Sequence, residues 1–153
     1  VGRLQTNKVK KVVENFHSIQ SVDRPELVTC IARTLEKLGR EAYPIFIQVN
    51  LSGKTTQGGV REQDLFPLLE CVALQPGIKV MGLMTIAPLA EEEVVRETFR
   101  KLRFLRDRVN SSGILREEVQ ELSMGMSDDF HLAILEGSTM VRLGRALFGE
   151  RVK

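Results

Sequence analysis

Tryptophan is absent from the 153 residues and tyrosine occurs once, as Tyr43. So thin an aromatic complement leaves little with which to stack bases. The net charge of +2, spread over scattered Lys and Arg, adds no electrostatic case for nucleic acid. Long apolar runs are missing as well: none approaches the roughly 20 residues of a membrane-spanning helix, so no membrane partner is expected. Cysteine is confined to Cys30 and Cys71, without a CxxC pair. Both fall in apolar-periodic stretches and read as reduced core residues in a reducing compartment, taken as the cytoplasm or, in a eukaryote, the mitochondrion. The two histidines, His17 and His131, are remote from each other and from both cysteines, so no metal site is expected. Ser52-Gly53-Lys54-Thr55-Thr56 lacks the spacing of a nucleotide-binding P-loop.

What remains is the composition of an ordinary globular domain, 42% hydrophobic and 27% charged. Its periodicities alternate. Leu4, Val9, Val12, Val13 and Phe16 recur at helical spacing and predict a helix over about residues 5–15. The stretch 17–23 is short and mixed, and reads as a strand. Pro25 opens a helix carrying Leu27, Ile31, Leu35 and Leu38 that Gly39 stops. Residues 43–50 are the clearest buried strand. A Gly-rich loop over 52–59, a helix carrying Leu65, Leu68, Leu69 and Val72, and a Pro76-Gly77 turn follow. A strand is predicted over 78–87, a long charged helix over about 91–110, a strand over 119–123, a helix over about 128–136 and a last strand over 139–143. Strand and helix in strict alternation mean a parallel sheet with helical crossovers. The fold class is α/β, with about five parallel strands where a closed (β/α)₈ TIM barrel has eight, so the chain reads as the latter part of such a barrel.

Polar residues end the predicted strands: Asp23, Asn50, Thr85, Ser123 and Arg142. Parallel strands bring such ends to one rim, the rim at which barrels and open sheets bind ligands. Ser123, followed by the small-residue turn Met124-Gly125-Met126-Ser127, offers a hydroxyl and backbone N–H groups to an anion; Ser127 or Asp128 then caps a helix. Gly144-Arg145 offers a second set. The loops after the last two strands of a barrel commonly form a phosphate site. The plainer readings are a tight turn at Ser123–Gly125 and, for Arg142, a salt bridge to a strand-end carboxylate. Glu91-Glu92-Glu93 reads as a favourable acidic first turn, and the arginines of the long helix as a solvated face.

Six segments carry more than a fold type. They are Gly2-Arg3-Leu4-Gln5-Thr6-Asn7-Lys8, Ser21-Val22-Asp23, Ile47-Gln48-Val49-Asn50, Gly82-Leu83-Met84-Thr85-Ile86-Ala87, Leu122-Ser123-Met124-Gly125-Met126-Ser127-Asp128-Asp129 and Val141-Arg142-Leu143-Gly144-Arg145-Ala146-Leu147-Phe148-Gly149. In this order, over essentially the whole chain, the sequence resembles the pyridoxal phosphate homeostasis protein family, single-domain relatives of the alanine racemase barrel.

That resemblance implies pyridoxal 5′-phosphate (PLP) as cofactor. It assigns Ser123 and the backbone amides of Gly144 and Arg145 to the phosphate, and Arg142 to the pyridine nitrogen. An arginine stays charged and does not surrender its proton, so it pairs with an unprotonated ring nitrogen and leaves the ring a weaker electron sink. The family's covalent lysine belongs to the first barrel strand, which the resemblance places upstream of Val1; no lysine here occupies its motif. Arg145 stands where relatives often have Thr or Ser, and Gln57 where some have Lys. The implied role is a carrier that buffers PLP for client enzymes, without catalysis and as a monomer; the alternative is a racemase-like enzyme of the same fold type.

Overall fold

The computed structural model describes residues 2–149. The alternation resolves into α1 (Val9–Asn15), β1 (Ile19–Val22), α2 (Pro25–Leu38), β2 (Tyr43–Asn50), β3 (Val60–Arg61), α3 (Leu65–Ala73), β4 (Ile78–Met84), α4 (Glu92–Ser112), β5 (Glu121–Met126), α5 (Phe130–Leu135), β6 (Met140–Arg142) and α6 (Arg145–Phe148). Five strands form a parallel path in the order β1-β2-β4-β5-β6, as the alternation predicted. The two-residue β3 pairs with the end of β2, Val49 opposite Val60, and is too short to have left a pattern in the sequence. Glu150 and Arg151 of the expected tail lie outside the described residues.

Local chemistry explains the elements. Pro25 stands in the first turn of α2, where its missing N–H costs nothing, and Leu27, Val28, Ile31 and Leu35 line one buried face. Gly39, at φ 59°, ends the helix with paired bonds from Gly39 N–H to the Glu36 carbonyl and from Arg40 N–H to the Leu35 carbonyl. In α4, Val95, Phe99, Leu102, Leu105 and Val109 form the buried stripe under a charged outer face. Its Arg96 and Arg100 clamp the carboxylate of Glu136, buried at the end of α5, and Arg103 donates to the Glu136 carbonyl. The core lies between the sheet and these helices. Cys30 and Cys71 are free, as expected, but only half-buried at its margin.

β5 departs from expectation in the way that matters for the site. It runs on through Gly125 to Met126, so Ser123 lies within the strand and is fully buried. Gly125 is no turn residue. Its φ is 95°, and a Cβ there would stand 2.6 Å from the Ala133 Cβ and 3.0 Å from the Phe130 Cα. The glycine lets α5 press against the strand. The sheet also curls strongly. Gln20 of β1, one edge of the path, touches both Met140 on the other edge and Ser123 on β5. Five strands thus wrap the arc of a half-barrel.

Candidate functional site

The five strand-end residues separate into two groups. Asp23, buried, accepts from Arg24 at 2.6 Å and Arg3 at 3.2 Å, and takes the Gly59 N–H. Asn50 folds the following loop through bonds to the Lys54 and Gln57 carbonyls and from Ser52. Gln57 in turn donates to the Ile86 carbonyl at 2.6 Å. These two residues shape loops.

Thr85, Ser123 and Arg142 converge on the concave face. The Arg142 backbone is opposite Met126, whereas Ser123 is opposite Met140. Three residues of strand separate the two levels, about 10 Å at ~3.3 Å per residue. The Arg142 side chain spans that interval by turning back across β5. Its Nη1 donates to Ser123 Oγ at 2.7 Å and its Nη2 to the Thr85 carbonyl at 2.8 Å. Both acceptors are neutral, and among the described residues Arg142 has no carboxylate partner; the salt-bridge reading of this arginine is not what the structure shows. Its Nε–H is buried and without an acceptor among the described residues. Burial pulls its pKa down and the charge of Asp129 opposes that, but the ordinary value lies so far above neutrality that the group stays cationic.

The Ser123 hydroxyl, having accepted from Arg142, donates to Gln20 Oε1 at 2.7 Å; Gln20 Nε2 lies 2.9 Å from Met140 Sδ. Both ends of the hydroxyl are therefore committed inside the sheet. Past β5, Ser127 is the first residue of the turn, and its Oγ accepts from the Ala146 N–H at 3.1 Å. Asp129 Oδ1 accepts from the Met126 N–H at 2.6 Å and holds that turn. Of the α6 amides, which lack intrahelical partners at the start of any helix, that of Ala146 therefore meets Ser127 and not Ser123. The Arg145 guanidinium pairs with Asp128, which leaves the residue its backbone N–H to offer at the rim. Gly144 is exposed, with open space around its Cα.

Sequence alone thus put Ser123 and Arg142 on neighbouring strands, at opposite ends of one ligand, with Gly144 and Arg145 just after the last strand; the structure brings the first two into direct contact. It made nothing of Gln20, and read Ser127 as a turn residue and helix cap. A glutamine in the middle of a four-residue strand was the available signal, since an amide inside a sheet needs partners. Surface depressions of about 470 Å³ over α2 and about 520 Å³ beside α4 touch none of these residues.

Comparison with known proteins gives the family and the fold. Residues 1–152 match the family model described as the alanine racemase N-terminal domain. The chain is 45% identical over 152 residues to a pyridoxal phosphate homeostasis protein of Aquifex aeolicus, covering 99% of this chain and 65% of that protein. It is 39% identical over 153 residues to one from Synechocystis, covering 99% and 69%. The chain therefore spans about two thirds of the length of these relatives. The structure of PipY from Synechococcus elongatus, solved with PLP bound, is 36% identical with a TM-score of 0.88, covering 97% of this chain and 68% of that one. An alanine racemase of Clostridium difficile, 18% identical with a TM-score of 0.75 over all of this chain and 39% of that one, shares the fold.

Proposed function

The chain belongs to the alanine racemase N-terminal domain family and, within it, to the pyridoxal phosphate homeostasis proteins, and from that premise we propose that it binds PLP on the concave face and serves as a carrier of the cofactor. One observation carries the reading. Arg142 presents a buried Nε–H donor with no acceptor among the described residues. An unprotonated pyridine nitrogen is an acceptor of the right kind, and burying a donor unpaired costs about 1–3 kcal/mol that such a ligand would recover.

The two ends of the ligand need separate grips. The PLP ring nitrogen and phosphate are separated by half a ring, a methylene and an ester oxygen. Ser123 Oγ and Arg142 Nη1, 2.7 Å apart, cannot hold both. Arg142 therefore takes the ring end. Ser127 and the amides of Gly144 and Arg145 take the phosphate, with Ser123 assigned to holding Arg142. When bound, PLP supplies an aldehyde that captures amines and a ring that withdraws electrons. The chain's part is to bind and orient: a donor-only guanidinium keeps the ring nitrogen unprotonated and restrains that withdrawal.

A carrier suits the surroundings better than an enzyme. The groups touching Arg142 are a serine hydroxyl and a threonine carbonyl, neither of which exchanges protons at neutral pH. Tyr43 begins β2 at the opposite end of the sheet, its hydroxyl bonded to the Phe16 carbonyl, and burial raises its pKa despite the Arg40 charge. We read residues 1–153 as a single partial barrel domain, its PLP clients being enzymes that take up the released cofactor. Equilibrium dialysis against PLP tests this: the chain retains the ligand, and Arg142→Met binds about 10-fold or more weakly, the loss of one charge-assisted hydrogen bond of about 1.5–3 kcal/mol. Equal retention by both proteins overturns it.

A further inference from the structure

The concave face contains a hydrogen-bonded chain that the ligand-binding account does not use. Arg142 is a pure donor, so the direction of every bond in the chain is fixed from that end. Nη1 donates to Ser123 Oγ at 2.7 Å, and the hydroxyl must then send its proton onward to Gln20 Oε1, also at 2.7 Å. With Oε1 accepting, the Gln20 amide nitrogen faces Met140 Sδ at 2.9 Å. The chain runs from β6 to β5 and across the curl to β1, its Ser123–Gln20 step joining residues 103 apart in sequence. Ser123 is fully buried and Gln20 half-buried, so water is poorly placed to replace either partner.

A buried polar chain of this kind is costly unless every member is satisfied, and satisfied it fixes one geometry. Arginine has many rotamers. Left to itself on a concave face, Arg142 would extend toward the solvent at the rim, where its Cα lies opposite Met126. The Thr85 carbonyl holds Nη2, but a single acceptor leaves the guanidinium free to swing about that bond. Ser123 supplies the second point. Ser123 keeps an acceptor lone pair turned to Arg142 because its own proton is drawn to Gln20. We propose that Gln20 is a positioning residue for Arg142: acting through Ser123 from the far edge of the sheet, it locks the guanidinium so that Nε–H projects toward the ring of a bound PLP. This rests on the reading of the site given above. It adds to that reading a remote residue that sets the pose of the ring.

The test uses Gln20→Met, which keeps the volume and removes the amide, Gln20→Glu, which keeps the acceptor, Arg142→Met, and the pair Gln20→Met with Arg142→Met. In the ligand-free chain, side-chain ¹⁵N NMR reads the guanidinium directly. Wild type and Gln20→Glu show resolved, slowly rotating Arg142 Nη protons, and Gln20→Met averages them. Titration with PLP then shows binding about 5- to 10-fold weaker in Gln20→Met, the effect of one hydrogen bond, and within about threefold of wild type in Gln20→Glu. The double variant binds no more weakly than Arg142→Met alone, since Gln20 acts only through that side chain. Resolved Nη protons in Gln20→Met, or losses that multiply in the double variant, overturn the positioning role. An unchanged PLP affinity in Arg142→Met overturns the site reading itself and, with it, this use of Gln20.

Discussion

Replacing Gly125 by alanine strikes the joint between strand and site without touching a ligand-facing group. The added methyl carbon would lie 2.6 Å from the Ala133 Cβ and 3.0 Å from the Phe130 Cα, both on α5, and 3.4 Å from Val141 Cγ1 on β6. None of the first two is the end of a flexible chain, so relief requires α5 to move as a body. The backbone contributes separately: φ is 95°, outside the regions an alanine adopts freely, at a cost of about 1–3 kcal/mol. Overpacking in a filled interior adds about 1–3 kcal/mol. Gly125→Ala is therefore expected to lose about 2–6 kcal/mol of unfolding free energy, read as a shift of the urea midpoint at constant slope. PLP affinity should fall with it, because the turn that presents Ser127 begins two residues on. A variant within about 0.5 kcal/mol of wild type would refute the packing argument, since ordinary surface changes fall in that range.

Three other outcomes follow from named contacts. Ser127→Ala removes the hydroxyl facing the Ala146 amide; PLP binding should weaken about tenfold while binding of unphosphorylated pyridoxal stays nearly constant, and equal losses for both ligands would place the phosphate elsewhere. For Glu136, burial acts to raise the carboxyl pKa but the hydrogen bonds and charges of Arg96 and Arg100 outweigh it, so the folded pKa lies below its usual value. Its stabilisation is then complete above the unfolded pKa of about 4.3 and disappears as the pH falls through the folded pKa. Glu136→Gln should be less stable than wild type at neutral pH, with the gap closing in acid; denaturation curves showing a constant gap would contradict this. Phe99→Ala empties the fully buried centre of α4 and should cost about 3–5 kcal/mol by the same assay, whereas a loss under about 1 kcal/mol would mean that the helix is not packed as described.

Much of the scaffold was legible because local rules governed it. The apolar run of β2, the Pro25 and Gly39 ends of α2 and the inner stripe of α4 each follow from residue type and period alone. β5 was misjudged because glycine ordinarily marks a turn, whereas Gly125 answers to the pressure of Ala133 from another element, which no local pattern records. The need for a partner at Arg142 was likewise visible, as a guanidinium in an apolar strand. Its partners were not: the Thr85 carbonyl is 57 residues away and is reached only because the sheet curls across three strands. Gln20 and Ser123 meet for the same reason. The end of β5 was misplaced by three residues, so that the Ser123 hydroxyl, which is in fact interior, was expected at the rim.

The most direct test follows the Arg142 Nε–H resonance during a PLP titration of the ¹⁵N-labelled chain. A buried donor that gains a pyridine nitrogen should shift downfield and saturate with the ligand, and pyridoxal lacking the phosphate should give the same shift at higher concentration. PLP that binds while this resonance stays in place would contradict the claim that Arg142 meets the ring.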